Sequence, residues 1–150
     1  MTNSSLTKLM LSGGVINESM PLIAEAVKHN KTLLSLNLDS NFAKDISIEC
    51  LTEMIKENNT LKSLSLQDNH FHEEGIKCLY DAAKHYNQSL FQLNLHNNFG
   101  SHKTLEKIDK ALTRKAQFEL GFFNRNKQTA IQPMERNNTK ELSLLYSKPT

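Results

Sequence analysis

The sequence predicts an α/β fold in which short strand–helix units stack into a solenoid, and three observations point to it. A leucine run recurs four times, a helical period separates the runs, and an asparagine follows most of them. Neither a short strand nor a short helix can bury its apolar side alone. Stacked units therefore form a parallel sheet, a layer of helices and a leucine core between them.

The leucine runs share the pattern L-x-x-L-x-L and begin at residues 6, 33, 61 and 90. Side chains alternate across a strand, so leucines at this spacing point into a common core. The ladder positions are Leu6, Leu9, Leu11, Leu33, Leu36, Leu38, Leu61, Leu64, Leu66, Leu90, Leu93 and Leu95. Each run therefore predicts a short strand.

The segments between the runs carry apolar residues three and four positions apart, which is typical of one helix face. These residues are Ile48, Leu51, Met54 and Ile55; Ile76, Leu79, Ala82 and Ala83; Leu105, Ile108, Ala111 and Leu112. In the first unit Met20, Ile23, Ala26 and Val27 fit after a one-residue deletion. A helix is predicted in every unit.

The extended pattern L-x-x-L-x-L-x-x-N over residues 6–112 resembles the ribonuclease-inhibitor-type leucine-rich repeat family. The resemblance implies a leucine-rich repeat solenoid, a short horseshoe arc with a parallel β-sheet on its concave face and α-helices on its convex face. Asn41, Asn69 and Asn98 hold the asparagine position, and Gly14 replaces it in the first unit. We expect these amides to bond backbone groups where each strand turns.

The domain boundary is predicted at residues 123 and 124. Residues 1–123 would form the repeat domain, with Phe118, Leu120 and Phe122 in a degenerate fifth strand that covers the last unit. Residues 124–150 are polar, and we expect a disordered tail. The late apolar residues of this tail resemble the export signals of type IV effectors, which implies a bacterial protein exported into a host cell.

The composition limits which cellular compartments and which classes of partner are expected. The net charge is +2, too balanced for the basic stripe of a nucleic-acid binder. No apolar run is long enough to span a membrane, and no secretory signal is predicted at the start. Two cysteines, Cys50 and Cys78, form no disulfide framework. We therefore expect an intracellular, cytoplasmic protein without nucleic-acid or membrane partners.

The stretch "NHFHEEG" at residues 69–75 leaves two alternatives open. Imidazoles and carboxylates are metal ligands, so His70 and His72 could form a metal site with help from His96 or His102. The structural alternative is a turn before the third helix, with Glu73 and Glu74 favoured by the helix dipole. Phenylalanines near this turn and its equivalents, Phe42, Phe71 and Phe99, would then plug the edge of the core.

The exposed sheet positions predict the binding site, because the residues between the ladder leucines point away from the core. We expect a non-enzymatic module that binds a protein partner of unknown identity, as a monomer or a weak dimer through an exposed repeat end. The predicted partner-binding residues are Lys8, Met10, Ser12, Ser35, Asn37, Asp39, Ser63, Ser65, Gln67, Asp68, Gln92, Asn94, His96 and Asn97.

Two alternative functions remain at this stage. Some leucine-rich repeat proteins accelerate GTP hydrolysis, and a strand-end asparagine such as Asn97 could order a nucleotide site. Metal-dependent activity at His70 and His72 is the other. No catalytic, phosphate-binding or zinc motif occurs in the chain, so we predict no catalytic residues and no cofactor.

Overall fold

The structure is a computed structural model that describes residues 4–14 and 18–130, with side chains as far as residue 118. The chain divides into two units, residues 1–116 and 117–150. The strands are β1 (Lys8–Met10), β2 (Ser35–Asn37), β3 (Ser63–Ser65) and β4 (Gln92–Asn94). The helices are α1 (Met20–His29), α2 (Ile48–Glu57), α3 (Glu73–Asp81) and α4 (His102–Ala130). A 3-10 turn, Asp45–Ser47, precedes α2, and a π-helical segment, Ala82–Tyr86, follows α3.

The four strands form one parallel sheet in the order β1-β2-β3-β4. Their central residues lie opposite one another in register: Leu9, Leu36, Leu64 and Leu93. The register follows the repeat because a slip by one residue would turn every leucine out of the core.

The core contains the nine ladder leucines of the second, third and fourth units, each at most 3% exposed. Burial of one such side chain contributes about 1.5–3 kcal/mol to folding. In the first unit Leu6 is 40% exposed, while Leu9 and Leu11 are only partly covered. β1 and β4 are both edge strands, but Ile108 and Leu112 of α4 add to the core beside β4. The leucines of β1 are therefore less covered.

The helices bury the predicted faces with one exception. Met20, Ala24 and Val27 are buried on α1, whereas Ala26 is exposed, so the predicted phase of this helix is wrong. Residues 20, 24 and 27 are spaced by four and three positions, which keeps them on one helix face. On α4, Ile108 and Leu112 join the core, so this helix packs over the last unit.

The strand-end asparagines bond the backbone as predicted. The Nδ2 atom of Asn69 donates to the carbonyl oxygens of Leu38 and Leu66, each at 3.0 Å. Its Oδ1 atom accepts from the Ala43 N–H at 2.9 Å. Asn98 repeats the arrangement one unit later, donating to Leu66 at 2.9 Å. Buried turn groups are thereby satisfied across adjacent units.

A second asparagine ladder, which we did not predict, joins the units where each helix returns to the next strand. Its members are Asn30, Asn58 and Asn87, and the last two are buried. The Nδ2 atom of Asn87 donates to the carbonyl oxygen of Asn58 at 2.7 Å. At the end of this ladder, the Lys115 ammonium on α4 donates to the carbonyl oxygens of Ala83 and Asn87.

The described residues correct the predicted architecture in two respects. The fold is a small α/β domain of four parallel strands and four helices, so the prediction of a leucine-rich repeat solenoid is wrong. No fifth strand forms at residues 118–122, because α4 continues through them to Ala130. Residues 105–120 contain no glycine or proline, and helix extension is cooperative once begun, so it overrides a short alternating pattern. Residues 131–150 of the predicted tail lie outside the described residues.

Candidate protein-interaction surface

The sheet face opposite the core presents the predicted partner-binding residues in aligned columns. The strand register sets Lys8, Ser35, Ser63 and Gln92 side by side, and likewise Met10, Asn37, Ser65 and Asn94. All eight are exposed or partly exposed. The structure therefore aligns these eight predicted residues across the sheet, although their role in binding stays a prediction.

Polar atoms on this face are partly engaged with one another. The Asp39 carboxylate accepts from the Gln67 N–H at 2.8 Å and from the Asn37 amide at 2.6 Å. The Asn94 amide donates to the Gln67 side chain at 3.0 Å. The two bonds to Gln67 join neighbouring units, so a partner would have to compete with them. Several predicted binding residues therefore also stabilise the sheet, a role that requires no partner.

The last residues of the predicted set lie in the turns after the strands. Ser40, Asp68 and Asn97 have positive φ angles of 57°, 53° and 57° and occupy equivalent turns. Asn97 donates from Nδ2 to the Asp68 carboxylate at 2.8 Å. Ser12, in the first unit, is exposed beside Gly13. The Asn97 amide is therefore committed to a turn, and no described contact favours it as a nucleotide-ordering group.

His96 pairs with α4 at the end of the sheet. Its Nε2 atom lies 3.0 Å from the Asp109 carboxylate, and about half of each side chain is exposed. Both residues line a cavity of about 400 Å³ with Ser63, Ser65 and Thr113. The pair fixes α4 against the edge of the sheet.

The strand-to-helix edge carries a feature that differs from the polar sheet face. Phe42, His70 and Phe99 occupy equivalent positions in three consecutive units and form the aromatic column. Ring centroids are 5.5 Å apart from Phe42 to His70 and 5.5 Å apart from His70 to Phe99. The His72 ring lies 5.1 Å from Phe99 on the same edge. Both phenylalanines are exposed, at 61% and 59%.

These exposures correct the prediction that all three phenylalanines plug the core. Phe71 alone does so, with no exposed surface. It aligns with Ala43 and Gly100, whereas Phe42 and Phe99 lie one step earlier, on the outward side. Phe42 also adopts a φ of 53°, which is costly for a bulky side chain. Strain of this kind is concentrated at functional positions.

The metal hypothesis finds no ligand set in the part of the chain that the structure describes. No group of three or more histidine, cysteine, aspartate or glutamate side chains could hold an ion there.

The polar side chains of this turn bond to the neighbouring units instead. His72 Nδ1 lies 2.8 Å from Asp45 Oδ2. Glu73 accepts from the Thr104 hydroxyl at 2.6 Å and the Ser101 N–H at 2.7 Å. These bonds hold the pKa of Glu73 below its usual value, and Lys77 adds to the effect.

Part of the core is accessible at the end formed by the first unit. Leu6, Leu9, Leu22, Val27 and Leu33 line a mostly apolar groove of about 850 Å³. This is the exposed repeat end through which weak dimerisation was expected, and dimerisation stays a prediction. No helix among the described residues is long and apolar enough to cross a membrane.

Solved structures of a leiomodin domain and a tropomodulin domain share this fold. The structure titled "Leiomodin-1 Actin-Binding Site 2 (ABS2)" matches with a TM-score of 0.74 and 20% sequence identity, over 86% of this chain and 91% of that one. The tropomodulin C-terminal domain from Caenorhabditis elegans matches with a TM-score of 0.62 and 16% identity, over 84% and 92%. No protein-family model and no curated protein matches the sequence.

These matches overturn the assignment to the ribonuclease-inhibitor-type leucine-rich repeat family, including its effector-like form. They are leiomodin and tropomodulin domains, and at 20% and 16% identity their likeness to this chain concerns the fold. The error has a physical reason: the spacing of leucine and asparagine depends on how a strand packs and how its turn is bonded. Different families can share that packing, so the spacing does not identify one of them.

Sequence reasoning also missed the aromatic column, although a signal was present. Positions 42, 70 and 99 recur with the same spacing as the strands. The histidine in the middle hid the column, because we considered it only as a turn residue or a metal ligand and compared the phenylalanines alone.

Proposed function

We propose that this domain is a non-enzymatic protein-binding module that binds actin through the aromatic column. The observation that carries the proposal is the exposure of Phe42 and Phe99 on either side of His70, in one continuous row of contacting rings. Aromatic rings bring a large contact area at low entropic cost and are enriched among the residues that dominate binding energy.

The geometry of the column supports a macromolecular partner. Its three rings span three units of a rigid sheet, and the isolated bridges Lys44–His70 and His72–Phe99 tie the turns together. A surface held this way loses little freedom on binding. The sheet face beside it adds amide and hydroxyl groups such as those of Asn37 and Asn94. A flat array of this kind suits a protein surface better than a small ligand.

Actin is proposed as the partner because the matching leiomodin domain is titled an actin-binding site. At 20% identity this likeness concerns the fold, so binding by this chain has to be measured. Co-sedimentation with filamentous actin, and gel filtration with monomeric actin, would detect binding to either form.

The surface is tested with Phe42→Ala/Phe99→Ala. We expect actin binding at least about tenfold weaker, because truncated aromatic anchors commonly cost more than 1 kcal/mol each. Leu22→Ala/Leu34→Ala is the matched control, since both leucines are exposed elsewhere. It should bind like the wild type. Thermal melts of both variants would check that the fold is intact.

The outcomes separate the partner from the surface. Wild-type protein that fails to bind either form of actin rejects actin as the partner. Binding that survives in Phe42→Ala/Phe99→Ala but is lost in Asn37→Ala/Asn94→Ala moves the site to the sheet face.

A further inference from the structure

A basic groove lies between the π-helical end of the third unit and α4. Its lining contains the cations Lys84, Lys103, Lys107, Lys110 and Arg114, with Tyr80, Glu106 and Ala111. The groove has a volume of about 570 Å³. Five cationic side chains thus face one carboxylate, in a chain whose formal net charge is only +2. Five of the 18 lysines and arginines of the chain therefore line this one groove.

The cations on α4 form a stripe along one helix face. Lys103, Lys107, Lys110 and Arg114 follow one another at intervals of four, three and four residues. At a rise of about 1.5 Å per residue, the stripe extends for roughly 16 Å. Like charges at this spacing destabilise a helix by a few tenths of a kcal/mol per pair. The helix retains them all, although neutral residues would favour it more.

Most of these charges are not neutralised within the described side chains. Lys110 pairs with Glu106 at 2.6 Å. Lys84 lies over the Tyr80 ring, 5.5 Å from its centroid, on the opposite wall. For Lys103, Lys107 and Arg114, no acidic partner lies within 4 Å among the side chains described through residue 118. Three exposed cations therefore remain to attract an anionic ligand.

We propose that the basic groove binds an acidic peptide segment, rich in aspartate and glutamate, of a protein partner. Cations on both walls can surround an extended chain, and the 16 Å stripe matches roughly five extended residues. Four of the five cations are lysines, which act as point charges and lack the planar fork that favours phosphate. Tyr80 is only 7% exposed, so the groove offers no ring for base stacking.

This inference does not depend on actin binding, because the groove lies on helices rather than on the aromatic column. The test measures fluorescence anisotropy of a labelled octaglutamate peptide with the full chain, at about 50 mM and 300 mM salt. An octaglutamine peptide serves as the neutral comparison. We expect saturable binding of octaglutamate that weakens at high salt, and none of octaglutamine.

Charge reversal locates the binding site. Lys103→Glu/Lys107→Glu should weaken octaglutamate binding at least tenfold, and Lys103→Gln/Lys107→Gln should give a smaller loss. The matched control, Lys31→Glu/Lys56→Glu, makes the same net change on exposed lysines outside the groove and should stay within threefold of the wild type. Circular dichroism would confirm that each variant is folded.

Three results would overturn the proposal. They are equal losses in the groove and control variants, no binding of octaglutamate by the wild type, and tighter groove-dependent binding of duplex DNA or phosphatidylserine vesicles than of the peptide.

Discussion

The side-chain amide of Asn58 donates to the carbonyl oxygen of Val27, 31 residues earlier in the sequence, at 2.7 Å and so joins two adjacent units. The same amide donates to the carbonyl oxygen of Asn30 at 3.0 Å. Its Oδ1 atom accepts from the N–H groups of Thr60 and Leu61 at 3.0 and 2.8 Å. One buried side chain therefore bonds the carbonyl groups at the end of α1 and the N–H groups just before β3.

Replacement of Asn58 by alanine should lower the free energy of unfolding by about 3 kcal/mol, because it leaves several buried backbone groups without partners. Asn59→Ala is the matched control. Asn59 is exposed, and its contact with Lys31 is 3.4 Å long, so its loss should stay within about 0.5 kcal/mol. Urea denaturation gives both values. Equal effects of the two substitutions would show that the ladder bond does not stabilise the fold.

Alanine at Gly75 should destabilise the domain by about 1–3 kcal/mol, although Gly75 lies in α3. In an open helix this change would stabilise by about 1 kcal/mol. Here the added Cβ would lie 2.7 Å from Asp45 Oδ1 and 2.9 Å from Ile48 Cδ1. Thermal unfolding gives the sign of the stability change. A loss shows that the steric contact outweighs the higher helix propensity of alanine, and a gain shows the reverse. A stabilised variant would mean that the Asp45 and Ile48 side chains move aside at little cost.

The pH dependence of stability should contain a contribution from Glu73. Bonds from Thr104 and Ser101 lower the pKa of this carboxyl from its ordinary value of 4.5. Stability from a lowered pKa is present above the unfolded value and is lost as pH falls through the folded value. Wild-type protein should therefore lose more stability than Glu73→Gln between about pH 6 and pH 3.

Urea midpoints across that pH range would provide the measurement. Glu74→Gln makes the same charge change at an exposed neighbour that pairs with Lys77 and does not reach the next unit. In Glu74→Gln the urea midpoint should fall with pH as steeply as in the wild type. Identical slopes in wild type and Glu73→Gln would contradict the assignment.

The two cysteines should differ in reactivity. Burial raises the pKa of the Cys50 thiol, which also donates to the Ser47 carbonyl oxygen at 3.1 Å. Cys78, in contrast, is exposed. At pH 8 a disulfide reagent should modify Cys78 at least tenfold faster, because the thiolate is the reactive form. Single-cysteine variants Cys50→Ser and Cys78→Ser separate the rates, and equal rates would reject the difference.

The repeat in the sequence determined the strands, their parallel register and most of the core. Leu36, Leu64 and Leu93 could be assigned from spacing alone, because a strand with one buried face permits a single register. The turn role of Asn69 followed in the same way, since a local pattern carries a local bonding requirement. These features depend on residues within one unit.

Only the tertiary structure decided the features that depend on contacts between units. The ladder of Asn58 and Asn87, its closure by Lys115 and the outward position of Phe42 arise from groups about 28 to 32 residues apart. The continuation of α4 through residue 118 was also outside the reach of the pattern. An alternating run suits a strand, but the cooperativity of the helix that precedes it prevailed.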